Sequence, residues 1–395
     1  MRTNEHNGNS GTVTIVGGGL AGLTAAIACA EGGSRVRLLE AHEELGGRAR
    51  SKSGPYKANL GPHVIYKDGP FWAWLAEREL LPAYAGPPLS GIRFRWQGKV
   101  RRTPPLGTIP AVLRLRGREA PADVDFRSWA AAHSDTRTAE MLSAAAGVYT
   151  FHHDPGELSA DFVWRHSVRV LLSPPPTARY LIGGWNALIS SLEGRVRQLG
   201  VQIETGRRLD ALPDGGPTIV ATELPQAREL LGDDSLAWPA GNTVCVDLGL
   251  RRRRGDPFIV SDLDEAGWVE RFSAPDPSLA PDGEELVQAQ LPVRPGESSE
   301  ATALRLDRLL DAALPDWRER ETWRRRQAMD ARSGPLDYPG SSWRDRPAID
   351  RGDGVYLAGD MVAAPGLLSE VSWASAVEAS RLALSSPLRS PVRVR

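Results

Sequence analysis

Residues 13–23 read Val-Thr-Ile-Val-Gly-Gly-Gly-Leu-Ala-Gly-Leu, an apolar run, a Gly-x-Gly-x-x-Gly turn and the opening of an alanine-rich helix. That order restricts the start of the chain to a strand, a tight turn and a helix at the head of a parallel α/β sheet. Gly17 permits the turn, Gly19 lets the backbone approach a pyrophosphate, and Gly22 lets helix and strand pack closely. The helix beginning at Leu20 and Ala21 aims unpaired N–H groups and the positive end of its dipole at the phosphates. Residues 35–40, Arg-Val-Arg-Leu-Leu-Glu, read as the second strand. Glu40 falls about 20 residues past the glycines, where a carboxylate accepts hydrogen bonds from a ribose diol and repels a 2′-phosphate. The plainer alternative is a βαβ unit whose glycines serve packing alone; the matching flanks argue for a nucleotide site.

Two further clusters extend this signal. Leu45-Gly46-Gly47-Arg48 follows the second strand, exposing backbone N–H groups beside a planar guanidinium suited to phosphate. Near the C-terminus, residues 355–360 read Val-Tyr-Leu-Ala-Gly-Asp, a strand ending in Gly359 and Asp360, and residues 363–370 lead into a helix for which Ser369 is a good N-cap.

The 395 residues carry a net charge of −1, and the short run Arg251 to Arg254 before Gly-Asp-Pro reads as a solvated turn, so nucleic acid is not an expected partner. Two distant cysteines, Cys29 and Cys245, form neither a disulfide framework nor a metal spacing and suit a reducing cytoplasm as buried small hydrophobes. No apolar run approaches the ~18 residues of a membrane span. Residues 1–11 read as a disordered tail.

The βα texture breaks between Gly69 and Ser173, where Trp- and Arg-rich amphipathic segments alternate with proline, and returns at residue 177. Residues 242–293 are strand-like, and residues 298–314 read as a helix with Leu304, Leu306, Leu309 and Leu310 as its apolar positions. The expected architecture is α/β: a Rossmann-like domain assembled from residues 12–68, 177–241 and 346–395, with an inserted α+β substrate domain from residues 69–176 and 242–345.

With these motifs in view, the chain resembles the flavin-containing amine oxidase superfamily: Gly17-x-Gly19-x-x-Gly22, Glu40, Gly46-Gly47-Arg48 and Gly359-Asp360. Residues 180–188, Tyr-Leu-Ile-Gly-Gly-Trp-Asn-Ala-Leu, look like the signature of its protoporphyrinogen oxidase and phytoene-desaturase-like branch. The resemblance implies an FAD-dependent oxidoreductase that removes a hydride from a carbon next to nitrogen or allylic in a small-molecule substrate. It implies Gly17, Gly19, Gly22 and Glu40 on the adenosine side, and Gly46, Gly47 and Arg48 at the phosphates and polyol. Gly61, Pro62 and His63 match a segment that runs beside the flavin, and Gly359, Asp360, Leu368 and Val371 close the site.

The chain also departs from that pattern. Its lysines are Lys52, Lys57, Lys67 and Lys99, so the strand-rich segment lacks the lysine that assists oxygen in many amine oxidases, which favours a dehydrogenase or desaturase. No cysteine stands near the C-terminus to tether a flavin, so FAD is expected to bind non-covalently. No second glycine fingerprint for a nicotinamide is present. His63 is the candidate catalytic residue, with His152, Tyr338 and Trp373 as candidates for the substrate pocket. His152 and His153 are adjacent and no other ligand is spaced to join them, so no metal is expected. A redox-neutral flavin isomerase and a GDP-dissociation-inhibitor-like binding protein are the rival readings, a homodimer the open oligomeric state, and secondary metabolism the expected setting.

Overall fold

Three remote segments share one parallel sheet. In the computed structural model, which describes residues 12–386 except Pro62 and Pro174, its strand order is Val355–Leu357, Thr218–Val220, Thr12–Val16, Arg35–Leu39 and Gln202–Glu204. The tail expected over residues 1–11 lies outside the described residues. The central position of Thr12–Val16 explains its apolar composition: Ile15 is fully buried, as are Leu38 and Ile219 on its neighbours. Helix Leu20–Glu31 packs against the C-terminal helix Ser369–Ser385 and against Trp185–Gln198. Its buried Ala25 and Ala26 suit a helix enclosed on several sides.

The glycine turn is held by close backbone approach. Gly17 has φ +105°, and a Cβ on Gly22 would lie 1.8 Å from the Gly17 carbonyl oxygen. Only glycine allows this helix to sit so near the strand end.

The second layer is a mixed sheet of seven strands, in the order Glu321–Met329, Thr243–Arg251, Glu284–Pro292, Gly267–Arg271, Ile259–Asp262, Ile92–Trp96 and Lys99–Arg101. Its pairings are antiparallel except between Ile259–Asp262 and Ile92–Trp96. The period-two alternation divides this sheet chemically. Val246, Leu248, Val287, Ala289 and Leu291 pack with Leu306, Leu309 and Leu310 of helix Ser299–Ala313. The alternate positions Asp247, Gln288 and Gln290 are buried too, which makes the other face polar. Leu304 corrects the sequence reading: it is 64% exposed, because it falls off the apolar stripe of its helix.

A helical cluster completes the fold. Asp125, Asp135 and Ser159 cap helices Phe126–His133, Thr136–Ala145 and Ala160–Val170, whose shared core includes Phe126, Trp129, Leu142 and Phe162. Arg169 of the last helix donates to Glu370 and Asp68, tying this cluster to the C-terminal helix.

Residues 321–329, Glu-Thr-Trp-Arg-Arg-Arg-Gln-Ala-Met, form an edge strand, alternating half-buried and exposed. Long arginine stems cover apolar surface while keeping their heads wet. The C-terminal helix has Leu368 rather than Ser369 at its N-cap, at φ +53° and without a side-chain cap.

The Gly17–Gly22 contact generates a direct test. Gly22→Ala should destabilise the protein by at least about 2 kcal/mol, an overpacking effect in which backbone cannot move aside. Chemical denaturation of the two proteins measures it.

Candidate cofactor and substrate cleft

A cleft of about 720 Å³ opens where the C-terminal ends of the parallel strands meet the polar face of the seven-stranded sheet. Gly17, Gly19, Leu20, Ala21, Glu40, Gly46, Gly47, Arg48, Gly61, His63, Gly359, Asp360 and Leu368 all line it. Sequence positions more than three hundred residues apart therefore face one space. A Cβ on Gly19 would meet no atom within 4 Å, so the backbone there borders open room. Gly22 and Val371 are not on the wall. Gly22 serves the helix contact, and Val371 is a buried core residue. Pro62 lies outside the described residues.

Glu40 anchors one end. Its Oε2 accepts from the Gly18 N–H at 2.7 Å, and its Oε1 accepts from the His42 N–H at 2.9 Å. The carboxylate is 7% exposed, so these bonds set its orientation while lone pairs remain for a ligand hydroxyl.

Arg48 closes the middle. It donates through Nη2 to Asp360 Oδ1 at 2.7 Å and through Nη1 to the Arg332 carbonyl at 2.8 Å, and its Nε lies 3.2 Å from Glu223 Oε1. Burial opposes its charge, but the neighbouring carboxylates, Asp360 foremost, raise its pKa above the ordinary value. Three of its five N–H groups are engaged, which leaves two for a phosphate. This pair ties the Gly46–Gly47 cluster to the Gly359–Asp360 turn.

His63 lines the cleft, with its ring 4.9 Å from that of Trp185. Its Nε2 lies 2.8 Å from the Arg48 carbonyl oxygen. A carbonyl only accepts, so Nε2 carries the proton and is committed to holding the Arg48 loop. The candidate catalytic residue His63 therefore has Nε2 occupied as a donor to backbone.

The three expected pocket residues stand elsewhere. Trp373 packs against the nucleotide-domain core beside Phe71, at 6.4 Å between ring centroids. His152 and Tyr338 meet each other, Tyr338 Oη lying 3.2 Å from His152 Nε2, and neither lines the cleft. Their neighbour Phe151 does. The metal reading also needs one correction, because Glu157 joins His152 and His153 with ligand atoms within 4.8 Å of one another. The hydrogen bonds fix one tautomer of His152. His152 Nδ1 accepts from the Asp154 N–H, so Nε2 holds the proton that faces Tyr338 and Glu157. Burial lowers the His152 pKa and keeps the ring neutral.

The sequence reading missed Gln290, Gln327, Met329 and Trp185 on the wall. Their signal was present: Glu284–Pro292 carries two glutamines at i and i+2 among apolar residues, a pattern that gives a buried strand one polar face. Further along that face, Asp247 is fully buried and accepts from Arg325 Nε at 2.6 Å and Gln327 Nε2 at 2.9 Å. Glu270 accepts from the Tyr180 hydroxyl, and burial pushes its pKa from 4.5 to about 7.

Comparison with known proteins agrees with this geometry. Residues 15–78 match the NAD(P)-binding Rossmann-like domain family. An L-amino-acid oxidase of Siganus canaliculatus is 40% identical over 75 residues, 18% of this chain and 14% of that protein. A carotenoid 3,4-desaturase of Haloarcula japonica is 49% identical over 51 residues, 13% of this chain and 10% of that protein. The likeness in sequence thus spans under a fifth of these curated relatives. The likeness in fold spans nearly everything. An oxidoreductase from Methanosarcina mazei superposes with TM-score 0.76 at 15% identity, covering 94% of this chain and 99% of the other. Cyclohexylamine oxidase from Brevibacterium oxydans does so with TM-score 0.70 at 16% identity, covering 95% and 99%. No helix among the described residues is long and apolar enough to cross a membrane.

The buried Glu270 generates a pH prediction. The folded state holds its proton up to about pH 7, whereas the unfolded chain releases it near 4.5. Its contribution is therefore fully present below the unfolded value and is lost as pH rises through the folded one. Glu270→Gln should flatten that decline, seen by comparing unfolding free energies of both proteins at about pH 5 and about pH 8.

Proposed function

We propose that this chain, which combines the nucleotide-binding sequence signature and the whole fold of the flavin-containing amine oxidase superfamily, is an FAD-dependent oxidoreductase. It takes a hydride from a carbon, next to nitrogen or allylic, of a small or mid-sized organic molecule. The observation that carries this reading is the single cleft walled by Gly17, Glu40, Arg48, Gly61 and Asp360 together. Bound there, FAD supplies a two-electron acceptor.

The chain's own groups hold and orient. Glu40 would receive a ribose diol, and the two spare Arg48 N–H groups together with the Gly19 and Gly47 backbone would receive the diphosphate. The start of helix Ser369–Ser385, with Leu368, Ser369 and Ser372 on the cleft wall, would turn backbone N–H groups toward a region of developing negative charge. His63 acts by positioning the Arg48 loop. Non-covalent retention of the cofactor fits both cysteines, which are buried and absent from the wall. Burial pushes the Cys29 thiol up to about 11. None of the four lysines lines the cleft, which supports a dehydrogenase or desaturase using an acceptor other than oxygen.

The test is anaerobic mixing of the FAD-loaded protein with candidate amines, amino acids and polyenes, followed by flavin absorbance. Bleaching with at least one substrate supports the reading, and a protein that takes up no FAD overturns it. Glu40→Ala should weaken FAD binding about tenfold or more, the equivalent of about 1.4 kcal/mol for a lost charge-assisted bond. Arg48→Ala should weaken it further and also loosen the Gly359–Asp360 turn. Both effects are read by fluorescence titration of FAD into apoprotein.

A further inference from the structure

We propose that Gln290 is the recognition residue of a substrate subsite for neutral polar molecules: a carboxamide-like group, able to donate and accept at once, on a largely apolar body. This rests on the reading of the cleft as a flavin-enzyme active site.

The argument begins with the strand register. Gln290 pairs with Cys245 on one side and with Trp268 on the other, and Cys245 pairs in turn with Gln327. Directly paired residues of neighbouring strands share a face, so these four side chains form one row across the sheet. Gln290 and Gln327 reach the cleft wall on either side of the short, fully buried Cys245.

The two glutamines differ in what they already hold. Gln327 donates through Nε2 to Asp247. In the next row Asp247 accepts from Gln288 and Arg325, and both also donate to the Asn59 carbonyl oxygen; Gln288 Oε1 and Arg325 Nη1 have no partner, but neither residue lines the cleft. Gln290 is 2% exposed, and neither its Oε1 nor its Nε2 has a hydrogen-bond partner. An amide buried in this way is unfavourable unless a ligand completes it. The indole Nε1 of Trp185, another buried residue of the wall, is likewise without a partner.

Charge then selects the ligand. The carboxylates on the wall, such as Glu40, Glu223 and Asp360, come from the nucleotide domain, and the polar sheet contributes none to it. Asp247 does not line the cleft and is paired with Arg325. Arg332, the one arginine that residues 327–335 bring to the wall, lies 3.0 Å from Glu223. Phe151, Val64 and Met329 add apolar surface nearby. A substrate ammonium would find no counter-ion at this end, and a substrate carboxylate no unpaired cation. A primary amide would offer Gln290 the matching acceptor and donor.

The experiment compares three probes of one shape on the FAD-loaded protein: cyclohexanecarboxamide, cyclohexylmethylamine and cyclohexanecarboxylate. Dissociation constants are read from flavin absorbance changes and from isothermal titration. The amide should bind at least about tenfold more tightly than either ion. Gln290→Leu should weaken the amide about tenfold and leave the other two ligands and FAD affinity unchanged. Gln290→Glu should shift the preference to the ammonium. Equal or better binding of either ion to the wild type overturns the proposal, whatever the variants do. So does a Gln290→Leu protein that keeps amide discrimination and loses FAD affinity, since the side chain would then serve the cofactor. Failure of the wild type to take up FAD instead overturns the flavin-enzyme reading, and isothermal titration of the same probes still decides the amide preference.

Discussion

The contact between Gly17 and Gly22 is the constraint on which the rest depends. With the helix seated so close that a Cβ on Gly22 would lie 1.8 Å from the Gly17 carbonyl oxygen, its N-terminus opens directly above the strand end. Backbone N–H groups and the helix dipole then face the same space as Glu40, which itself accepts from the Gly18 N–H. A wider turn would separate the carboxylate from the helix start and dissolve the nucleotide site.

Around that seat the two layers are locked by polar contacts that leave one wall of the cleft built by both. Asn59 is the hinge-pin of this arrangement. Its side-chain Oδ1 accepts from Ser51 Oγ at 2.7 Å and from the Trp185 N–H at 3.3 Å, and its carbonyl accepts from Arg325 Nη2 at 2.6 Å. Arg325 in turn neutralises the fully buried Asp247, whose carboxyl pKa burial would otherwise raise still further. Breaking one partner of such a pair leaves an uncompensated charge, which costs more than the pair contributes. The polar sheet face is thus a structural support, in which Gln290 on the cleft wall has neither amide atom partnered.

The same economy shapes the nucleotide side. Arg48 bonds Asp360 and the Arg332 carbonyl, and Glu223 lies beside both Arg48 and Arg332. One guanidinium therefore joins the Gly46–Gly47 cluster, Glu223 in the loop after strand Thr218–Val220, and the C-terminal Gly359–Asp360 turn. Its planar fork and permanent charge suit it to join three carriers at once.

What the sequence by itself determined is the local chemistry. Glycines at positions 17, 19, 22, 46 and 47, Glu40 at the end of a strand, and Gly359-Asp360 after another are legible because backbone conformation and short-range capping depend on near neighbours. The Rossmann-like α/β fold follows from those signals and from the recurring βα texture. Only the tertiary structure decided which remote side chains meet. It drew Gln290 and Gln327 to the cleft through strand register, turned an arginine-rich run into an edge strand, and committed His63 Nε2 to a backbone carbonyl. It also placed His152, Tyr338 and Trp373 away from the wall. Side-chain destination across such distances is set by pairing and packing between segments, which no local pattern encodes.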